Sequence, residues 1–235
     1  MNRILTILLL SLLSCSLRAQ TWVSQSGSGN NSGSDTNNKM PIATYNSSGS
    51  GSVNLVGVLT TGLTATSGTI YFEPGAKFSA PTWGWGIITG TGGITIDGGV
   101  NGLIEATANG TGMTYSNSIC AIALNNCKGV VVKNLTVQNM YVYQGPSDEQ
   151  PGLTGSGSAV FISGNSSNIT ITNCLFHDSF YGIFDQYTSG CSNIVYSHCV
   201  AYNCNWGGGG GGGTYGGTYS GDVGGQGIIV VIYHP

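Results

Sequence analysis

The chain is 235 residues long, 40% hydrophobic and only 6% charged, with 40 glycines and a formal net charge of −3. With six lysines and arginines in all, it is a poor match for nucleic acid, because phosphate contacts rest mainly on those side chains. The apolar share argues equally against a chain disordered throughout, and the length suits one domain with tails.

Met1 to Ala19 reads as an export signal: Asn2-Arg3, an apolar run from Ile4 to Leu13, then Leu17-Arg18-Ala19 ahead of Gln20. The run is too short to cross a bilayer and no second one follows, so no transmembrane segment is expected. Cleavage is expected after Ala19. A rival cut precedes Cys15, where Leu12-Leu13-Ser14-Cys15 loosely follows a bacterial lipobox and would give a lipoprotein, although Leu13 fits that pattern poorly. The expected location is secreted, periplasmic or at the cell surface of a bacterium. Loss of the signal removes both arginines, leaving four lysines against nine acidic residues, a formal charge of −5.

Residues 20–52 form a Ser/Gly/Asn-rich lead, a flexible linker or an irregular cap, with Trp22 and Tyr45 as its few anchors. Val53 to Val58 and Thr69 to Phe72 are the first credible strands, and Glu73-Pro74-Gly75-Ala76 is a turn by its Pro-Gly pair. Ile87-Ile88, Ile94-Thr95-Ile96 and Leu103-Ile104 follow, then a polar loop from Thr107 to Ser118.

From Ala121 to Cys204 one pattern recurs three times, in Val130 to Asn139, Ile169 to Asp178 and Ile194 to Asn203. Alternating apolar residues lead to a polar residue (Asn134, Asn173, His198), then to apolar or Cys residues one and three positions on, then to Asn or Asp at five. Period-2 alternation means strands, and a repeat of whole strand-turn-strand units means a solenoid. Asn173 to His198 is 25 residues, one coil of a parallel β-helix; Asn134 to Asn173 is 39, the excess lying in the Gly/Pro/Ser-rich insert Met140 to Ser158. The predicted fold is all-β, a right-handed single-stranded parallel β-helix of about five or six coils over residues 53–206.

Six cysteines remain after Cys15 leaves. Cys174 and Cys199 fall at the same inward position of successive coils, about 4.8 Å apart by strand spacing, so stacked core thiols are expected ahead of a full disulfide framework. No Cys-x-x-Cys suggests zinc. Past Trp206 the composition breaks: Gly207 to Gly213 are seven consecutive glycines, and residues 207–235 read as a glycine-rich tail with a terminal hydrophobic strand, Ile228 to Tyr233.

The Asn-x-x-[Ile/Val]-x-[Ile/Val]-x-Asn coils, the run Gly68 to Gly75 and Ile94-Thr95-Ile96-Asp97-Gly98-Gly99 resemble the right-handed parallel β-helix proteins of the pectate-lyase-like group, over roughly Val53 to Asn205. The chain looks like a short or truncated member. Fold does not settle function in this group. The resemblance implies pectin-type acidic polysaccharide as a possible substrate and calcium as a possible cofactor. It does not carry catalytic residues across: the Asn-Thr-Asp, Asp-Asp, Gly-His-Gly and Arg-x-Lys strings of the polygalacturonase-like hydrolases are missing. So is the arginine that lyases use as a base, and Lys128 and Lys133 read as solvated turn lysines.

Candidate residues can still be named. Asp178 and Asp185 flank Phe180 to Phe184; facing outward they would bind calcium through oxygen ligands or work as acid and base, with His177 beside Asp178 as a further catalytic candidate. Their competing reading is turn chemistry. Asp148-Glu149 sits at the tip of the long insert. Tyr141, Tyr143, Tyr181 and Tyr187 offer rings that are apolar on the face and hydrogen-bonding at the rim, which suits sugars. Scarce ionisable groups and plentiful Tyr, Asn and Thr favour a non-catalytic module that binds or coats polysaccharide at the cell surface. A polysaccharide lyase or glycoside hydrolase is the alternative.

Overall fold

A computed structural model describes residues 20–48, 51–90, 92–108, 120–140, 157–179, 181–185, 190–204 and 229–231. The signal, most of the long insert and nearly all of the glycine-rich tail lie outside them.

The regular structure of the described chain is nearly all strand, with a single short helix, α1 (Ile42–Ser48). Before α1 come β1 (Thr21–Ser24) and β2 (Met40–Pro41). After it come β3 (Val53–Leu55), β4 (Val58–Leu59), β5 (Leu63–Ala65), β6 (Gly68–Phe72), β7 (Lys77–Ala80), β8 (Trp85–Gly90) and β9 (Ile94–Ala106). Then follow β10 (Cys120–Asn125), β11 (Val131–Gln138), β12 (Ser158–Ser163), β13 (Ser167–Thr172), β14 (Leu175–Ser179), β15 (Tyr181–Asp185), β16 (Ser192–Ser197), β17 (Cys199–Cys204) and β18 (Ile229–Val231).

Every pairing but one is parallel, and the strands stack as the faces of a parallel β-helix. The first face is a five-stranded sheet, β5-β8-β10-β12-β15. The other sheet has 13 strands and bends at corners into two faces. The second face stacks β1, β3, β6, the first half of β9, the first half of β11, β13 and β16. The third stacks β4, β7, the second halves of β9 and β11, β14 and β17. β18 alone runs antiparallel, against β17.

Alternation decides which side chains enter the core. The second face sends in Ile70, Ile96, Val132, Ile171 and Tyr196, one above the other in register. The third contributes Phe78, Ile104, Val137 and Phe176, and the first Leu63, Ile88, Ile122, Val160 and Ile183. All are buried, each stabilising the fold by about 1.5–3 kcal/mol. Tyr196, an aromatic residue in the clear coils, is therefore core rather than surface.

The corners show why asparagine recurs. Asn134, Asn173 and His198 hold φ of 56°, 52° and 53°, the left-handed region that Asn and His tolerate better than most residues. Asn173 donates to Asn134 at 2.7 Å, and Asn134 donates to Asp97 at 2.9 Å, so the predicted polar column is a hydrogen-bonded ladder. A second left-handed column runs Gly129, Asn168, Asn193, with Asn193 donating to Asn168 at 2.6 Å.

The parallel ladder starts earlier than the alternation announces, because β1 pairs with β3 from Thr21 onward. α1 seats Ile42 and Tyr45 on the first coil, both buried; the Tyr45 hydroxyl donates to Gly51 O at 3.0 Å. Cys174 and Cys199 lie inward on adjacent rungs, where the amide of Val200 donates to Cys174 O at 2.9 Å. Both thiols are free and buried, as are those of Cys120, Cys127 and Cys191. The hydrogen bond with Cys199, together with burial, pushes the Cys174 thiol up. Among the described residues no helix is long and apolar enough to cross a membrane.

Candidate functional site

The outward side of the third face carries a connected row of polar side chains. Inward Phe78, Ile104, Val137 and Phe176 fix the phase of their strands, so the next residue along each points out: Ser79, Glu105, Gln138 and His177. Tyr202 continues the row opposite His177. Four rung steps of about 4.8 Å make this a straight track about 19 Å long.

Glu105 is its centre. Its carboxylate accepts hydrogen bonds from Lys77 Nζ (2.9 Å) and Ser79 Oγ (2.8 Å) on one oxygen and from Gln138 Nε2 (2.8 Å) on the other. The side chain is 11% exposed. Burial pushes the Glu105 carboxyl up, but the hydrogen bonds from Lys77, Ser79 and Gln138 and the lysine charge outweigh it and hold the group below the ordinary glutamate value. At the far end, His177 Nδ1 lies 2.5 Å from Asp178 Oδ2, and the imidazole stacks on Tyr202 with centroids 4.7 Å apart and planes 3° off parallel.

A groove of about 270 Å³ opens beside the track, bordered by Val100, Asn101, Leu103, Asn134, Thr136 and Gln138. Its wall has a simple origin. Asp97 pairs with Lys133 and Gly102 with Leu135, so Gly98 to Asn101 stand where β11 has Asn134 alone. The extra residues swing outward and leave Val100 74% exposed. A Cβ on Gly98 would strike the Asn134 carbonyl, so glycine is required where the loop crosses that corner.

The structure brings some sequence candidates together and separates others. His177 and Asp178 touch. Asp178, with φ of 51°, occupies a left-handed turn position, in line with its competing reading as a turn residue. Asp185 ends β15 on the first face, in register with Ile162, about 13 Å of strand beyond Tyr181. Tyr181 itself stands in register with Ser158. Tyr141, Tyr143, Asp148, Glu149 and Tyr187 lie outside the described residues. Among the described residues no group of three or more His, Cys, Asp or Glu could hold a metal ion.

Lys133 is more than a solvated turn lysine. Its Nζ sits 3.0 Å from Asp97 Oδ2 on the second face. Burial pushes the Asp97 carboxyl up, while the hydrogen bonds from Asn134, the Gly99 amide and Lys133 bring it below the ordinary aspartate value. Glu105 escaped sequence reasoning altogether. It follows the apolar pair Leu103-Ile104, and its three partners are 26 to 33 residues away along the chain. The available signal was phase: it follows directly on an inward residue, in register with Ser79.

A carboxylate with three donors is a weak base and a poor proton donor. Thr136, Gln138 and Asn134 present amides and hydroxyl beside the apolar Val100 and Leu103. Compared with protein-family models, curated proteins and solved structures, the chain matches none.

Proposed function

We propose that this protein is an exported β-helix module that binds polysaccharide at the cell surface along the outward track of its third face. The observation that carries the reading is the single register line Ser79, Glu105, Gln138, His177, Tyr202, flanked by a groove with an amide-rich floor and an apolar wall. An extended sugar polymer fits such a row, with polar side chains for its hydroxyls along most of it and the Tyr202 ring at one end. The likeness of the coil motifs to the pectate-lyase-like group, many of which handle polysaccharide, supports the same direction.

A second reading, a polysaccharide lyase or glycoside hydrolase, draws on the His177–Asp178 contact, which orients an imidazole at the end of the track. Its weakness is that Asp185 belongs to another face.

The test is retention of the full secreted chain on a glycan array, native against Gln138→Ala with Tyr202→Ala. Native binding weakened about tenfold or more by the double change is expected, in line with loss of one stacking and one hydrogen-bonding contact. Binding unaffected by that pair but abolished by Tyr141→Ala with Tyr143→Ala would move the site to the long insert. New unsaturated or reducing ends on incubation with pectins, with or without calcium, would favour the enzyme.

A further inference from the structure

We propose that the polysaccharide bound on the third face is uncharged, an inference that rests on reading that face as a glycan surface. A glycan rich in uronate needs cations that are free to meet it, as bidentate arginine or unpaired lysine. The exported chain has four lysines and no arginine. Lys77 is committed to Glu105 and Lys133 to Asp97, at 2.9 and 3.0 Å. Lys39 donates to the Thr36 carbonyl within the capping lead. Lys128 is exposed, and its main chain pairs with Ser167 at the corner that precedes the second face, away from the track.

The donors of the track are spoken for in the same way, since Lys77, Ser79 and Gln138 all converge on Glu105. A polyuronate lying along the row would set its carboxylates against Glu105 and Asp178 with no surplus positive charge between them. Like charges so placed disfavour a polyanionic partner. Calcium bridging would need grouped carboxylates, and the described residues contain no such group. What the groove does offer is Asn101 and Thr136 as hydrogen-bonding groups beside exposed Val100, chemistry that fits hydroxyls and the apolar face of a neutral sugar ring.

The test uses the full secreted chain and one backbone in two charge states: homogalacturonan fully methyl-esterified and the same material de-esterified, at low salt in EDTA, beside a panel of neutral glucans and xylans. The expected result is retention by neutral members of the set, with the de-esterified polymer bound at least about tenfold more weakly than its ester. Glu105→Gln frees Lys77 and should raise binding of the de-esterified form relative to the ester; a purely structural role for Glu105 would lower both alike. Native protein that binds the de-esterified polymer as tightly as the ester overturns the neutral-ligand inference while leaving glycan binding intact. Retention of no glycan of either charge overturns glycan binding itself, and this inference with it.

Discussion

Asn173 shows how much one corner residue decides. Its φ of 52° would impose about 1–2 kcal/mol of steric strain on alanine, and its amide carries a rung of the ladder. Asn173→Ala should therefore lower the denaturation midpoint more than Asn173→Gly, which accepts the backbone and loses only a hydrogen bond worth about 0.5–1.5 kcal/mol. Equal losses would mean that the backbone angle is not what selects asparagine. These corner positions were legible in the sequence because so few residue types tolerate the left-handed turn, and the spacing repeats them. Glu105 was not, because its role exists only across coils. It also makes a pH prediction. The folded value lies below the ordinary 4.5, so above that value the carboxylate contributes its full stabilisation. As pH falls through 4.5 toward the folded value, the unfolded chain takes up the proton first and the contribution is lost. Native protein should thus exceed Glu105→Gln in unfolding midpoint at pH 7, and the gap should close on acidification. A gap constant from pH 7 to 3 would count against an ionised Glu105 held by its three donors.

At the scale of strands, the core columns carry the stability. Phe176 is buried in β14 between Val137 and the position of Ala201, and Phe176→Ala should cost about 3–5 kcal/mol, read by urea denaturation. The half-buried neighbour Leu175→Ala, on the same strand and facing out, should cost well under half of that. β11, β13, β14, β16 and β17 were foreseeable from period-2 alternation. β1 and β2 were not, since Thr21 to Ser24 and Met40-Pro41 sit among Ser, Gly and Asn whose low hydrophobicity hides the pairing. Ile94 to Ile96 and Leu103-Ile104 were both legible as apolar runs, but the sequence did not show that the residues between them bulge outward within one strand. That bulge is what raises the groove wall, so the part of the site least predictable was the part made by an irregularity.

Over the whole molecule, each coil touches only its neighbours, so stability should vary along the axis. One end is closed by β1, β2 and α1. At the other, β15 and β16 have no further partner strand among the described residues, while β17 has β18. Amide hydrogen exchange should accordingly be slowest in β9 and β11, which are paired on both sides, and faster in the end strands β15 and β16. Uniform protection from β6 to β16 would instead indicate one cooperative unit.

Trp83 gives the molecule an optical handle. Its indole is buried, meets Phe78 edge-on at 6.3 Å and donates to the main-chain carbonyl of Glu105 at 2.7 Å. Emission from such a ring is short in wavelength and sensitive to the field of the carbonyl it points at. A sugar that tugs on Glu105 or its lysine would shift that field without touching the ring. Under the proposed glycan reading, the intrinsic fluorescence of Trp83 should follow occupancy of the track in the unlabelled protein, over a background from the chain's three other tryptophans, solvent-facing Trp85 among them.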